Sequence, residues 1–324
     1  MKHNFSPGAK GEQEEEASMV AREPRDNSYM NLPGKRLTLP EQIALSTVRI
    51  ECIDRKSKKH VGTGFFFDCS NDPKTALPVI VTAWHLIEEK VSFKFYLNRL
   101  SPEGDVLFGR RLLVEYEGCS GWVRHPVRDV DLCALPFGKA VNDMWAGGRP
   151  PAWRMFKKEM IPSEQEMANL YAMEEIVMVG YPIGFWDSVN SMPIFRRGIT
   201  ASHPRLDFEG RKEFIVDLAC FPGSSGSPVL LYRPGLKIKG DQWIKIQGGG
   251  PYMRLAGILY AGPEVSVDGK ILVVNVPTAH DLTARSRIPV HLGCVIKAQR
   301  LLDFGPIFVE QAERKVGREQ GSEE

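Results

Sequence analysis

Residues 221–228 read FPGSSGSP, and the apolar run VLL follows at 229–231. A nucleophilic serine needs a hydroxyl exposed on a tight turn, with backbone N–H groups directed at the space beside it. Glycines two residues before and one residue after Ser225 permit that backbone, because glycine adopts angles that other residues avoid. The N–H groups of Gly223 and Ser225 could then form an oxyanion hole. The same stretch also fits an ordinary turn before a strand, and alone it does not decide between the two.

Two other stretches offer a base and an acid. Residues 81–87 (VTAWHLI) end an apolar strand just before His85, on the rigid support that a general base requires. Residues 129–136 (DVDLCALP) offer two carboxylates that could hold the imidazole. We favour Asp131 over Asp129 because the residues that follow Asp131 are all apolar or small. Taken singly, His85 would fit a partly buried structural histidine, and either aspartate would fit a turn at a strand edge.

The chain order of these residues is more informative than any one of them. His85, Asp131 and Ser225 follow one another as base, acid and nucleophile do in the chymotrypsin arrangement. The first two fall in one strand-rich half of the chain and the serine in the other. A site built between two barrels requires that partition.

The middle of the chain reads as short strands separated by Gly, Pro, Asp and Asn. The candidate strands are Thr47–Ile53, Gly64–Phe67, Leu77–Val81, Ser92–Leu97 and Leu112–Tyr116, then Glu175–Val179, Ile194–Thr200, Phe214–Leu218, Val229–Tyr232, Leu255–Leu259, Ile271–Val274 and Cys294–Ile296. Such a pattern predicts an all-β sandwich or barrel rather than a parallel sheet with crossover helices. The best helix candidate is Lys297–Phe304.

Composition shifts divide the chain into five segments. Residues 1–38 are polar and read as a tail, and residues 305–324 read as a second one. Residues 39–137 form a first barrel with the histidine and the aspartate. Residues 138–168 break the strand pattern and read as the connection to a second barrel at 169–304, which carries the serine and a short C-terminal helix.

Charge and cysteine usage exclude several function classes. The chain has 42 basic and 40 acidic residues, a formal charge of +2, so we expect neither nucleic acid nor an anionic membrane as a partner. No apolar run approaches the roughly 20 residues of a membrane helix, and the first forty residues lack the apolar core of a secretory signal. The six cysteines are expected to be reduced thiols in a cytoplasmic protein. Without a CxxC pair or a Cys/His ligand pattern, we expect no metal and no cofactor.

Over residues 40–304 the chain resembles the trypsin-like serine peptidases, and most closely the bacterial branch that includes the HtrA-type proteases. The similar stretches are GTGFF at 62–66, GYPIG at 180–184, GITA at 198–201, LAGILYAG at 255–262 and GCVI at 293–296. The resemblance implies two six-stranded antiparallel β-barrels of the chymotrypsin type. It also implies a serine endopeptidase acting on a protein or peptide substrate, with Ser225 as nucleophile, His85 as base and Asp131 orienting His85.

The resemblance also locates a pocket for the P1 side chain, the residue before the scissile bond. Its base is expected at Ala219 and Cys220, its walls at Tyr260, Ala261 and Gly262, and its far side at Gly293. None of these residues is charged, so a basic P1 side chain would find no counter-ion. We therefore expect a small to medium apolar P1 side chain.

Two departures from the family qualify the resemblance, and one alternative function stays open. The residue before the nucleophile is Ser224, where enzymes activated by N-terminal cleavage carry an aspartate, so activation by N-terminal insertion is not expected. No stretch after residue 304 is long enough for a PDZ module. The fold could also serve as a gated or silent binding module whose oxyanion hole awaits an activating protein partner.

Overall fold

The computed structural model describes residues 37–70, 75–182, 185–233, 236–239, 242–245, 252–271, 282–289 and 291–311. Most of the two predicted tails lies outside these residues. So do 183–184 of the similar stretch GYPIG and 272–274 of the strand predicted at Ile271–Val274.

The first half is one antiparallel sheet of eight strands. The strands are β1 (Thr47–Asp54), β2 (Lys59–Asp68), β3 (Pro78–Thr82), β4 (Lys90–Leu100), β5 (Val106–Glu117), β6 (Val123–Arg124), β7 (Cys133–Pro136) and β8 (Pro151–Ala152). Their order is β5-β4-β1-β2-β3-β7-β6, with β8 paired to β4. Strands β5 and β6 are the two ends, and within the described residues no pairing joins them. The first half was predicted to be a closed barrel, and the described residues form an open sheet instead.

The second half contains a closed barrel of six antiparallel strands, as predicted. In barrel order the strands are β10 (Ile194–Thr200), β11 (Glu213–Asp217), β18 (Leu292–Lys297), β15 (Tyr252–Ala261), β12 (Pro228–Arg233) and β9 (Glu175–Gly180). Two hairpins extend the chain between these strands: β13 (Leu236–Lys239) with β14 (Gln242–Lys245), and β16 (Glu264–Ile271) with β17 (Leu282–Pro289).

Helices are short and lie between strands or at the end of the chain. They are α1 (Leu39–Ala44), α2 (Trp84–Ile87), α3 (Gly138–Ala146), α4 (Glu164–Ala168) and α5 (304–311). The helix predicted at Lys297–Phe304 is a 3-10 turn over Ala298–Asp303 that continues into α5. None of the helices in the described ranges combines the length and the apolar character needed to cross a membrane.

One hydrophobic core joins the two halves. Phe65 on β2 and Val81 on β3 belong to the same buried cluster as Leu230 on β12, Ile258 on β15 and Phe304 at the C-terminal helix. Burying a side chain of this size contributes about 1.5–3 kcal/mol. The ends of β2 and β3 are therefore held firmly against the second barrel.

Candidate active site

His85 lies on the single-turn helix α2, which begins two residues after the end of β3. Its backbone N–H donates to Asp131 Oδ1 at 2.9 Å, and its ring Nδ1 lies 2.5 Å from Asp131 Oδ2. Both carboxylate oxygens therefore engage one histidine, which orients the ring and directs the Nδ1 proton to the carboxylate. Side-chain exposure is 50% for His85 and 22% for Asp131, so the ring has a free face.

The structure shows which of the two aspartates, Asp129 or Asp131, lies beside His85. Asp129 is exposed, and within the described residues it makes no hydrogen bond or ion pair. Asp131, two residues later, is the carboxylate that the structure brings to His85. The residues that follow it, β7, are buried beside β3, and this pairing sets Asp131 next to the start of α2.

Ser225 lies in the second of two successive tight turns, 221–224 and 224–227. The first is closed by a 3.0 Å hydrogen bond from the Ser224 N–H to the carbonyl three residues before it, and the second by one of 3.0 Å from Ser227 to Ser224. Each turn has a glycine with positive φ, +88° at Gly223 and +87° at Gly226. Proline followed by such a glycine, as at 222–223, is the sequence of a type II turn. The two glycines thus provide the exposed bend that the sequence predicted around the serine.

The first sheet holds this bend in place. The Thr63 N–H on β2 donates to the Ser225 carbonyl at 2.9 Å. A Cβ at Gly226 would stand 1.9 Å from the Thr63 carbonyl and 2.4 Å from Thr82 Oγ1, so the serine turn packs directly on β2 and on the end of β3. Since His85 follows Thr82 by three residues, the serine turn packs against the strand end that leads to the His85–Asp131 pair.

Two backbone donors beside the serine have no acceptor. Within the described part of the chain, neither the Gly223 N–H nor the Ser225 N–H donates to a protein group. The Gly223 carbonyl on the other side accepts from Thr63 Oγ1 at 3.0 Å, and that oxygen accepts from the Tyr181 N–H at 2.9 Å. These buried contacts fix the peptide that joins Gly223 to Ser224, and the predicted oxyanion donors, the N–H groups of Gly223 and Ser225, belong to the peptides on either side of it.

The serine hydroxyl itself does not face the histidine. Ser225 Oγ donates to the carbonyl of Tyr260 at 3.2 Å. Among the described residues no hydrogen bond joins it to His85. Catalytic hydrogen bonds often form only when substrate is bound, and a serine hydroxyl can change partners by rotation about one bond.

Three of the predicted pocket residues lie together. A Cβ at Gly293 would stand 2.6 Å from Cys220 Sγ, and one at Gly262 would stand 3.8 Å from Cys220 Cβ. Burial raises the pKa of the Cys220 thiol to about 11, so it is neutral at neutral pH. Ala219 and Ala261 are adjacent in sequence to these residues, and Tyr260, two residues before Gly262, accepts a hydrogen bond from Ser225 through its carbonyl.

Arg196 on β10 is a residue that the sequence reasoning missed. Its Nη1 donates to the carbonyl of Ala219 at 2.7 Å and to Ser224 Oγ at 2.8 Å, so it contacts both the pocket base and the nucleophile turn. Burial lowers the pKa of Arg196 to about 10, which leaves the side chain charged at neutral pH. The only signal was the alternation of β10, which turns Arg196 inward and leaves Arg197 outside, with a side chain that is 69% exposed.

No grouping of three or more His, Cys, Asp or Glu side chains in the described ranges is placed to hold a metal ion. Comparisons by sequence find nothing, since neither a protein-family model nor a curated protein matches the chain.

Comparison with solved structures finds distant likenesses to proteases. Tobacco etch virus protease complexed with product is 13% identical, with a TM-score of 0.41 over 71% of this chain and 73% of the protease. The thermostable serine protease AL20 from an extremophilic microorganism is 12% identical, with a TM-score of 0.39 over 81% of this chain and 96% of that one. Protease Anisep from Arthrobacter nicotinovorans is 9% identical, with a TM-score of 0.39 over 82% and 97%. Likenesses this weak do not decide the activity of the chain.

Proposed function

We propose that this chain is a serine endopeptidase that hydrolyses peptide bonds through an acyl-enzyme on Ser225. One observation supports the proposal: the turn that carries Ser225 packs on Thr63 and on Thr82, three residues before a histidine whose ring and backbone are both bound by one carboxylate. Residues from two halves of the chain meet there, and they are the residue types that acyl transfer requires.

The proposed reaction uses only groups of the chain and water. Ser225 Oγ attacks the scissile carbonyl while its proton passes to His85 Nε2, and Asp131 stabilises the resulting imidazolium through Nδ1–H. The negative charge on the carbonyl oxygen is met by the N–H groups of Gly223 and Ser225, each worth about 3 kcal/mol of barrier. His85 then gives the proton to the leaving amine. A water molecule, deprotonated by His85, cleaves the ester and restores the serine.

The pocket predicted beside the nucleophile supports an uncharged P1 residue. Cys220, Gly262 and Gly293 come together there, and none carries charge at neutral pH. A small to medium apolar P1 side chain is therefore the proposed preference. A lysine or arginine would meet Arg196 behind the pocket base as a like charge. A peptide library that is cut after Lys or Arg would contradict this preference.

A gated module is the second candidate, and one observation favours it. The hydroxyl of Ser225 donates to the Tyr260 carbonyl, so in this arrangement its proton is not directed at His85. An activating protein partner that turned the hydroxyl toward His85 would switch the enzyme on. Resemblance to the HtrA branch remains part of the proposal, as does a cytoplasmic location, which the six free cysteines support.

Covalent labelling with a fluorophosphonate tests these candidates. We expect wild type to be labelled at Ser225, the His85→Ala variant to lose labelling, and Ser225→Ala to lower kcat on a peptide by roughly a million-fold. Labelling that requires host-cell extract would favour the gated module. A folded wild type that is labelled in neither condition, or a Ser225→Ala variant that still cleaves, would exclude the proposed enzyme.

A further inference from the structure

Several N–H donors of the Arg196 guanidinium have no acceptor among the described residues. Arginine has five N–H donors, and the Nη1 contacts to Ala219 and Ser224 account for two. Nε and Nη2 are buried and have no hydrogen-bond partner within the described residues. Buried donors of a charged group are costly to leave unpaired, so this edge of the side chain lacks an acceptor.

The described residues also supply no counter-charge for this cation. Ser224, which Arg196 contacts, is neutral, and so is the nearby thiol of Cys220. Within the described part of the chain no carboxylate forms an ion pair with Arg196. The missing acceptor and the missing charge would both be provided by one carboxylate.

The unpaired edge has the shape that a carboxylate fits. Nε and Nη2 lie side by side on the guanidinium plane, and two parallel N–H···O bonds to a carboxylate are the strong, directional arrangement for arginine. A carboxamide presents one oxygen and one NH2, so it satisfies only one of the two donors and adds no charge. Glutamate and glutamine, which have nearly the same size, are therefore separated by this contact.

The location of Arg196 connects the edge to the P1 pocket. Arg196 binds the carbonyl of Ala219, the predicted pocket base, which precedes Cys220 in the chain. Cys220 Sγ lies over Gly293, where no side chain fills the wall. Binding of a P1 side chain to the buried guanidinium requires the small Cys220 side chain to rotate.

We propose that the Nε–Nη2 edge of Arg196 binds the carboxylate of an acidic P1 side chain, making Arg196 a specificity-determining residue. The inference rests on the proposed endopeptidase and extends its P1 preference from apolar residues to Glu and Asp. Arg196 also positions the nucleophile turn through Ala219 and Ser224, so the test must separate the two roles.

The first experiment compares two fluorogenic peptides that differ only in Glu or Gln at P1. Wild type is expected to cleave the Glu peptide with a kcat/KM at least about tenfold higher, as a charge-assisted pair of bonds replaces one neutral bond. Equal rates, or faster cleavage after Gln, would overturn the proposal without any variant being made.

Variants then assign the preference to this edge. Arg196→Lys keeps the charge and one donor toward the turn but lacks the paired edge, and we expect the Glu/Gln ratio to fall by about tenfold. Arg196→Met is expected to reduce the ratio to one or below. Arg197→Met, a change at the exposed neighbour on the same strand, should leave the ratio at the wild-type value. A ratio that persists in folded Arg196→Lys and Arg196→Met proteins would overturn the assignment.

A binding assay separates failure of this site from failure of the proposed function. In Ser225→Ala, titration with the same two peptides should show tighter binding of the Glu peptide, because binding does not require the nucleophile. If the Glu peptide binds more tightly but wild type is not labelled, the proposed endopeptidase is refuted and the carboxylate site stands. If wild type cleaves both peptides equally well, the carboxylate site is refuted and the endopeptidase stands. Free N-acetylglutamate should inhibit cleavage of a Leu-P1 peptide competitively. Activation instead would show that the edge binds an effector and would overturn the P1 assignment.

Discussion

Replacing Asp131 by asparagine tests the proposed chemistry most directly, because it changes one atom of the carboxylate. Asp131 accepts the His85 backbone N–H at 2.9 Å and faces the ring Nδ1 at 2.5 Å. Asparagine offers one oxygen and one NH2 to these two donors. If its oxygen keeps the backbone N–H, its NH2 donates to Nδ1 and the ring proton moves to Nε2, which then cannot accept the proton of Ser225.

The size of the effect follows from the two contacts. The bond to the ring is charge-assisted and worth roughly 1.5–3 kcal/mol, and the wrong tautomer adds to that loss because Nε2 then carries the proton. We expect a fall in kcat/KM of roughly 10³- to 10⁴-fold, because the reactive tautomer and the imidazolium are both disfavoured. The half-exposed ring of His85 lets water compete, so the free energy of unfolding should change far less.

The assay measures kcat/KM on a peptide and the rate of fluorophosphonate labelling, with urea unfolding as the check on folding. Asp129→Asn is the matched control, since Asp129 is exposed and makes no hydrogen bond in the described part of the chain. It should retain activity within about twofold. An Asp131→Asn protein within tenfold of wild type, or an equal loss in Asp129→Asn, would refute the role given to Asp131.

Three further perturbations test the site around this pair. Gly226→Ala, at φ +87° with a Cβ position 1.9 Å from the Thr63 carbonyl, should lose roughly 3 kcal/mol or more of unfolding free energy and its labelling, whereas Gly118→Ala, at φ +68° in open space, should lose about 1 kcal/mol and keep labelling. Thr63→Val leaves a buried donor unpaired and should lower kcat together with the urea midpoint; an unchanged kcat would argue against a fixed oxyanion turn. The Cys220 thiol, with a pKa near 11, should react with iodoacetamide at pH 8 much more slowly than exposed Cys119, and equal rates would contradict the burial of Cys220.

Local chemistry made part of this arrangement predictable. Backbone angles that residues other than glycine avoid are predicted at Gly223 and Gly226, and both glycines have positive φ. The sequence pattern predicted most strands of the second barrel, since alternating or apolar runs bounded by turn residues are typical of strands, whereas the barrel itself was implied by the resemblance. Closure of the first half could not be read in this way, because it depends on whether β5 and β6 pair, and β6 has only two residues.

Contacts between segments far apart in the chain could not be predicted from the sequence. Thr63 was noticed as part of GTGFF at 62–66, yet nothing in that stretch shows that its hydroxyl bonds the Gly223 carbonyl 160 residues later. The rotamer of Ser225 is hidden for a similar reason, because its hydroxyl bonds the carbonyl of Tyr260, 35 residues later in the chain. Sequence identifies the groups, and their hydrogen-bond partners require coordinates.

Ser224 and Arg196 show how one such partner changes the interpretation of a site. Read alone, a serine before the nucleophile means only that the aspartate of N-terminally activated enzymes is absent. Its contact with Arg196 adds a second meaning, because Ser224 accepts a hydrogen bond from the guanidinium without neutralising its charge. An aspartate there would have satisfied the arginine internally and left nothing for a ligand. The neutral serine leaves the charge and one donor edge unpaired behind the pocket base, and a substrate carboxylate is the group that could pair with both.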